Sequence, residues 1–161
     1  MKFNFFKKDA VDFYTPVNGK IVPLEEVPDP VFSQKMMGEG IAVIPTNGNI
    51  YAPVKGTVIL VAATKHAIGI RAEDGSEILI HVGLETVSLE GKGFNVAVKE
   101  GDRVSAGQLL IEVDWEYINI NAKSTITPIV ITNSQEGKKH YAFTEEKEGT
   151  AGKTVIFTAS V

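Results

Sequence analysis

The chain of 161 residues is 43% hydrophobic and 22% charged, the balance of a folded domain long enough to close its own core and not of a disordered or fibrous chain. Sixteen basic against twenty acidic residues leave a net charge of −4, the reverse of the basic surface a nucleic acid demands. Without cysteine there is no disulfide framework, thiolate metal site or thiol nucleophile, and no apolar run approaches the roughly 20 residues that span a bilayer.

The expectation is a single cytoplasmic domain over residues 1–161, with 1–12 as a flexible N-terminal tail. Met1 to Lys8 mixes aromatic and basic residues and reads as that tail or as a strand lead-in, with a membrane-surface segment as the lesser reading. Beyond it come short runs rich in Val, Ile and Thr, punctuated by Gly, Pro, Asn and Asp, which is the pattern of many short strands. The predicted strands cover 15–22, 40–44, 56–62, 66–72, 77–82, 94–98, 108–113, 125–132 and 154–159. Turns fall at Asn47-Gly48, Asp74-Gly75 and Glu100-Gly101-Asp102, and 145–153 reads as a solvated loop. Two short helical pieces, 31–37 after a Pro-Asp-Pro break and 115–122 behind Asp114 as N-cap, interrupt an otherwise all-β chain. So many strands in one domain imply a sandwich or a barrel.

Two of the three histidines flank one turn, His66 before Asp74-Gly75 and His81 after it, while His140 falls in a loop or at an edge. Taking Asp74-Gly75 as a two-residue loop sets Glu73 opposite Ser76, His66 opposite Gly83 and Ile68 opposite His81. One face then carries Thr64, His66, Ile68, His81, Gly83 and Glu85, with the imidazoles as diagonal neighbours. A three-residue loop would flip one strand and separate them. Paired imidazoles on a surface suit a phosphoryl acceptor or a metal site, because neutral imidazole is both a nucleophile and a ligand near pH 7. The plainer reading is two strand histidines with their polar edges in water.

The stretch Thr64-Lys65-His66-Ala67-Ile68-Gly69, followed by Ile78-Leu79-Ile80-His81-Val82-Gly83-Leu84-Glu85-Thr86-Val87, closely resembles the glucose-type enzyme IIA components of the bacterial phosphoenolpyruvate-dependent sugar phosphotransferase system. Pro28-Asp29-Pro30-Val31-Phe32, Met36-Met37-Gly38-Glu39-Gly40, Asn121-Ala122-Lys123-Ser124 and Thr127-Pro128-Ile129-Val130 extend the likeness over nearly the whole chain. The resemblance implies an antiparallel β-sandwich with short helical segments and a shallow surface active site. It also implies a phosphocarrier that takes a phosphoryl group from HPr and passes it to the cysteine of a sugar-specific enzyme IIB, without touching the sugar and without a cofactor. On the family's pattern His81 accepts the group through Nε2, His66 is its partner, Thr64 orients His66, and Gly83 offers backbone to the His81 ring. Asp29, Phe32 and Met36 fall at the docking rim, to which Ile68 and Glu85 are added. The residue after Leu84 is usually Asp in the family and is Glu85 here, which keeps the charge and lengthens its reach.

No metal is required, although the resemblance implies that His66 and His81 can bridge zinc with a partner's carboxylate in regulatory complexes. A zinc peptidase fits less well, because the surroundings of the two histidines supply no third ligand. A biotin or lipoate carrier fits less well again, because no Met-Lys-Met or Asp-Lys stands at a hairpin tip. Further expectations are regulatory protein targets and contact with the membrane only through the permease.

Overall fold

In the computed structural model, which describes residues 10–161, the β-branched runs fold as fourteen strands and two short helices. In chain order these are β1 (Val11–Tyr14), β2 (Asn18–Pro23), α1 (Pro30–Ser33), β3 (Glu39–Asn47), β4 (Ile50–Tyr51), β5 (Gly56–Val61), β6 (Ala67–Ala72), β7 (Glu77–His81), β8 (Phe94–Val96), β9 (Arg103–Val104), β10 (Leu109–Val113), α2 (Trp115–Asn121), β11 (Thr127–Ile131), β12 (His140–Phe143), β13 (Glu148–Gly149) and β14 (Val155–Ser160). Eight strands form one sheet in the order β13-β2-β3-β11-β7-β6-β5-β9, and two three-stranded sheets, β1-β14-β12 and β4-β10-β8, complete the molecule. Every pairing is antiparallel.

Strand alternation divides the large sheet into two apolar faces. Ile41, Val43, Ile68, Ile70, Ile78, Ile80, Ile129 and Ile131 point to the main core, where they meet Phe13, Leu110, Ile111 and Phe157 from the small sheets. The intervening residues Val22, Ala42, Ala67, Leu79 and Val130 point the other way and are covered by Leu24, Val27 and Phe32. The segment from Leu24 through α1 is therefore a lid over the second face. His81 follows Leu79 by two residues on β7 and so emerges on that second face, beside the lid.

Several expectations change. Val11 and Asp12 belong to β1, paired with Ala159 and Thr158 of β14, so the flexible tail does not extend to residue 12; residues 1–9 lie outside the described part. The first helical piece is a single turn, Pro30–Ser33, with the Asp29 carboxylate accepting from the Val31 N–H at 3.0 Å. The loop predicted over 145–153 contains the two-residue strand β13. The β6–β7 hairpin is not built on a two-residue turn: Ala72 donates to Ser76 at 2.8 Å, Gly75 donates to Ala72 at 3.0 Å, and Gly75 sits at φ +94. This three-residue loop ending in a left-handed glycine shifts the register by one, so that Ala67 faces His81 and Ile68 faces Ile80.

Candidate functional site

His81 and His66 come together despite that shift, with ring centroids 4.8 Å apart and planes at 79°. The expected separation fails because His66 is not part of the strand. It stands one residue before β6, directly after Lys65 in the left-handed region at φ 66, so strand alternation does not dictate where its ring goes. Its carbonyl still accepts from the Val82 N–H at 2.7 Å, which holds it level with the end of β7.

Each imidazole is oriented through Nδ1. His81 Nδ1 donates to the Gly83 carbonyl at 2.8 Å, which fixes the proton on Nδ1 and leaves a lone pair on Nε2. The loop that presents this carbonyl depends on Gly83 at φ +77, where a Cβ would fall 2.7 Å from the Thr86 methyl carbon and 2.9 Å from the Ser124 carbonyl oxygen. Thr86 Oγ1 donates to the Val82 carbonyl at 2.8 Å and Leu84 N–H to the Ser124 carbonyl at 2.9 Å, so the turn is tied at both ends. Thr64 Oγ1 lies 2.8 Å from His66 Nδ1, and a hydroxyl donating there puts the proton of neutral His66 on Nε2. Neither Nε2 has a hydrogen-bond partner among the described residues. Because no buried side-chain nitrogen or oxygen is left unpaired there, both Nε2 atoms face solvent.

Both rings favour the neutral form. His66, only 8% exposed, is pushed down to about 4, first by burial and then by the neighbouring charge of His81, against an upward pull from the Thr64 backbone. Burial also lowers His81, opposed by the Gly83 carbonyl and the Asp29 charge. A neutral pair at pH 7, with a bare Nε2 on His81 and, when the Thr64 hydroxyl donates to Nδ1, an Nε2–H on His66, can attack a phosphorus centre and donate to its oxygens.

A depression of 370 Å³ opens on His81, lined by Asp29, Phe32, Met37 and Glu85 together with Val31 and Val87. A cavity of 440 Å³ elsewhere, floored by Ile21, Leu24 and Ile41, contains no histidine. Of the expected docking residues, Asp29, Phe32 and Glu85 line the depression and Met36 is 68% exposed. Ile68 is fully buried in the main core and cannot meet a partner; the one-residue register shift turned it inward. Phe32 is also corrected: at 4% exposure it belongs to the second core, although its ring lies 5.1 Å from His81 and walls the site. Val31, Met37, Thr86 and Val87 line the depression as well, beyond the residues expected there. Val31 and Met37 adjoin quoted docking residues, and Val87 closes the quoted His81 motif, so their signal was present but unassigned. No group of three or more potential metal-ligating His, Cys, Asp or Glu side chains occurs among the described residues. No helix among them is long and apolar enough to cross a membrane.

Comparison with known proteins converges on one system. The family described as phosphoenolpyruvate-dependent sugar phosphotransferase system, EIIA 1, matches residues 11–137. The PTS system glucose-specific EIIA component of Staphylococcus epidermidis is 53% identical over 126 residues, 78% of this chain and 76% of that protein. A glucose-specific EIICBA component of Staphylococcus saprophyticus is 47% identical over 150 residues, 93% of this chain but 22% of the larger protein. The solved glucose permease IIA from Mycoplasma capricolum superposes with a TM-score of 0.86 at 35% identity, covering 98% of this chain and 99% of that one.

Proposed function

The chain belongs to the EIIA family of the phosphoenolpyruvate-dependent sugar phosphotransferase system, and from that membership we infer that His81 Nε2 is the atom through which it carries phosphoryl groups from HPr to an enzyme IIB. The phosphocarrier role follows from the family itself, and the larger EIICBA relatives join such a domain to others in one chain. The observation that carries the assignment of His81 Nε2 is the 2.8 Å hydrogen bond from His81 Nδ1 to the Gly83 carbonyl, which leaves the nucleophilic lone pair on the solvent-facing nitrogen.

In acceptance, the Nε2 lone pair attacks phosphorus, a new P–N bond forms, and the bond to the donor atom breaks with its electron pair leaving on the donor. The Nδ1 proton stays on the His81 ring, and its hydrogen bond to Gly83 strengthens as the ring gains positive character. His66 forms no covalent bond. Its Nε2–H, directed by Thr64, donates to the phosphoryl oxygens in flight, where phosphoryl transfer depends mainly on positioning and charge stabilisation. In donation, the IIB cysteine thiolate attacks phosphorus and the P–Nε2 bond breaks, returning the pair to His81. The acidic groups Asp29 and Glu85 at the rim favour basic partner surfaces and faster encounter.

A secondary reading is zinc bridged by the Nε2 atoms of His66 and His81 and completed by a carboxylate from a regulatory partner, for which His66 takes its other tautomer, with Nδ1–H donating to Thr64 Oγ1. Phosphoryl transfer itself needs no cofactor, and the cytoplasm is where such a carrier meets HPr and the permease. The test is His81→Gln, which removes the nucleophile and keeps a polar side chain of similar size. Label uptake from phosphorylated HPr is lost with the melting temperature preserved; undiminished uptake contradicts the assignment.

A further inference from the structure

The Asn121-Ala122-Lys123-Ser124 motif plays no part in the chemistry assigned above, yet it packs against the site. Lys123 lies in the loop between α2 and β11, and this loop is fastened to the segment just beyond Gly83. Leu84 and Ser124 form an isolated antiparallel bridge, with Leu84 N–H donating to Ser124 at 2.9 Å and Lys123 N–H donating to Leu84 at 3.3 Å. From there the Lys123 side chain reaches across to the lid. Its Nζ donates to the Pro28 carbonyl at 2.9 Å and stands 3.9 Å from Glu85 Oε2.

Pro28 is bonded directly to Asp29, whose carboxylate caps α1 and draws the His81 ring toward its charged form. One ammonium therefore joins the two segments on either side of His81, the one bearing Asp29 and the one bearing Gly83 and Glu85. The electrostatic setting gives this link a purpose. The residues lining the depression include two carboxylates and no cation, and an arriving phosphoryl group adds further negative charge. An Asp29 free to drift would meet that group at varying distance, whereas a tethered one keeps a single distance to the imidazole.

We propose that Lys123 is a positioning residue for phosphoryl transfer, holding the Asp29 carboxylate in register with His81 by fastening the Pro28 carbonyl to the Gly83–Glu85 segment. The contact to Glu85 is long and solvent-exposed and contributes little by itself; the hydrogen bond to Pro28 is the tether. The inference rests on the reading of His81 as acceptor.

A double-mutant cycle tests it with the full chain and phosphorylated HPr as donor. Lys123→Met slows acceptance roughly tenfold, the scale on which modest misplacement of a supporting group acts. On an Asp29→Asn background, where the N-cap survives but the charge is gone, the same change slows it less than about twofold, because the group it positions is no longer there. Lys123→Arg restores the rate to within about twofold of the unmodified protein, since a guanidinium also reaches the carbonyl and keeps the charge. Wild-type acceptance by Lys123→Met overturns the proposal, as does equal slowing on both backgrounds or failure of Arg to rescue. His81→Gln separates the two levels of failure: retained uptake in that variant defeats the acceptor reading itself, whereas lost uptake combined with a wild-type Lys123→Met defeats only the role of Lys123.

Discussion

The burial of His66 predicts an acid liability that can be calculated before it is measured. The folded protein holds this ring 8% exposed and lowers its pKa from 6.5 to about 4, while the unfolded chain returns it to its ordinary value. The unfolded state therefore binds the proton first as pH falls. Above about pH 6.5 both states are neutral at this site and it has no effect on stability. Between about 6.5 and 4 stability declines, and below 4 the loss is complete. A gap of about 2.5 pKa units at 1.36 kcal/mol per unit amounts to roughly 3 kcal/mol, a large share of the stability of an ordinary domain. His66→Gln removes the titrating group. Urea unfolding of both proteins at pH 7.5 and at pH 4.5 should then show the unmodified chain losing roughly 2–3 kcal/mol more than the variant over that interval. Parallel pH profiles would refute the argument, because they would mean that His66 binds its proton equally well in both states. The same burial bears on function, since a ring that resists protonation leaves the His81 lone pair unopposed at neutral pH.

Phe32→Ala should cost about 3–5 kcal/mol in urea unfolding, as expected for a phenylalanine packed in the second core. A loss below 1 kcal/mol would return Phe32 to the surface. Gly83→Ala should slow phosphoryl acceptance by at least tenfold, because a Cβ at φ +77 meets Thr86 and Ser124 and displaces the carbonyl that fixes the His81 tautomer; acceptance at the wild-type rate would show that this carbonyl is dispensable. Met36→Ser should weaken HPr binding by calorimetry with melting unchanged, whereas Ile68→Ala should lower stability and leave affinity intact once folded. The reverse pattern would restore Ile68 to the docking surface.

The parts of the fold visible in the sequence were those in which packing repeats along the chain. Val, Ile and Thr runs such as 77–82 and 125–132 mark the strands buried on both faces, and Asp114 marks the start of α2, where its carboxylate accepts from the Tyr117 N–H at 3.1 Å. Strands β4, β9 and β13 have two residues each, too few to express a period of two. β12 begins with His140 after two lysines and resembles a loop until it pairs with β14. The hairpin register turned on one residue. Asp74-Gly75 suits a two-residue turn, but the same glycine serves equally as the left-handed last position of a three-residue loop, and the buried Ile68, Ile70, Ile78 and Ile80 settle the choice by all facing the main core. The histidine pair was legible through its motif because motifs preserve where side chains end up, even where strand geometry alone points elsewhere. Lys123 was legible only as part of a motif, since its partner Pro28 is 95 residues away.

The central claim is that the phosphoryl group resides on Nε2 of His81. Protein labelled with nitrogen-15 in its histidines, incubated with phosphorylated HPr and examined by phosphorus–nitrogen correlation, reports the bonded atom directly. The account predicts a single phosphorus coupling to Nε2 of His81, a phosphoramidate lost in acid, and no phosphorus coupling to His66. Coupling at His66 or at Nδ1 of His81, or an acid-stable ester on a hydroxyl side chain, would contradict it.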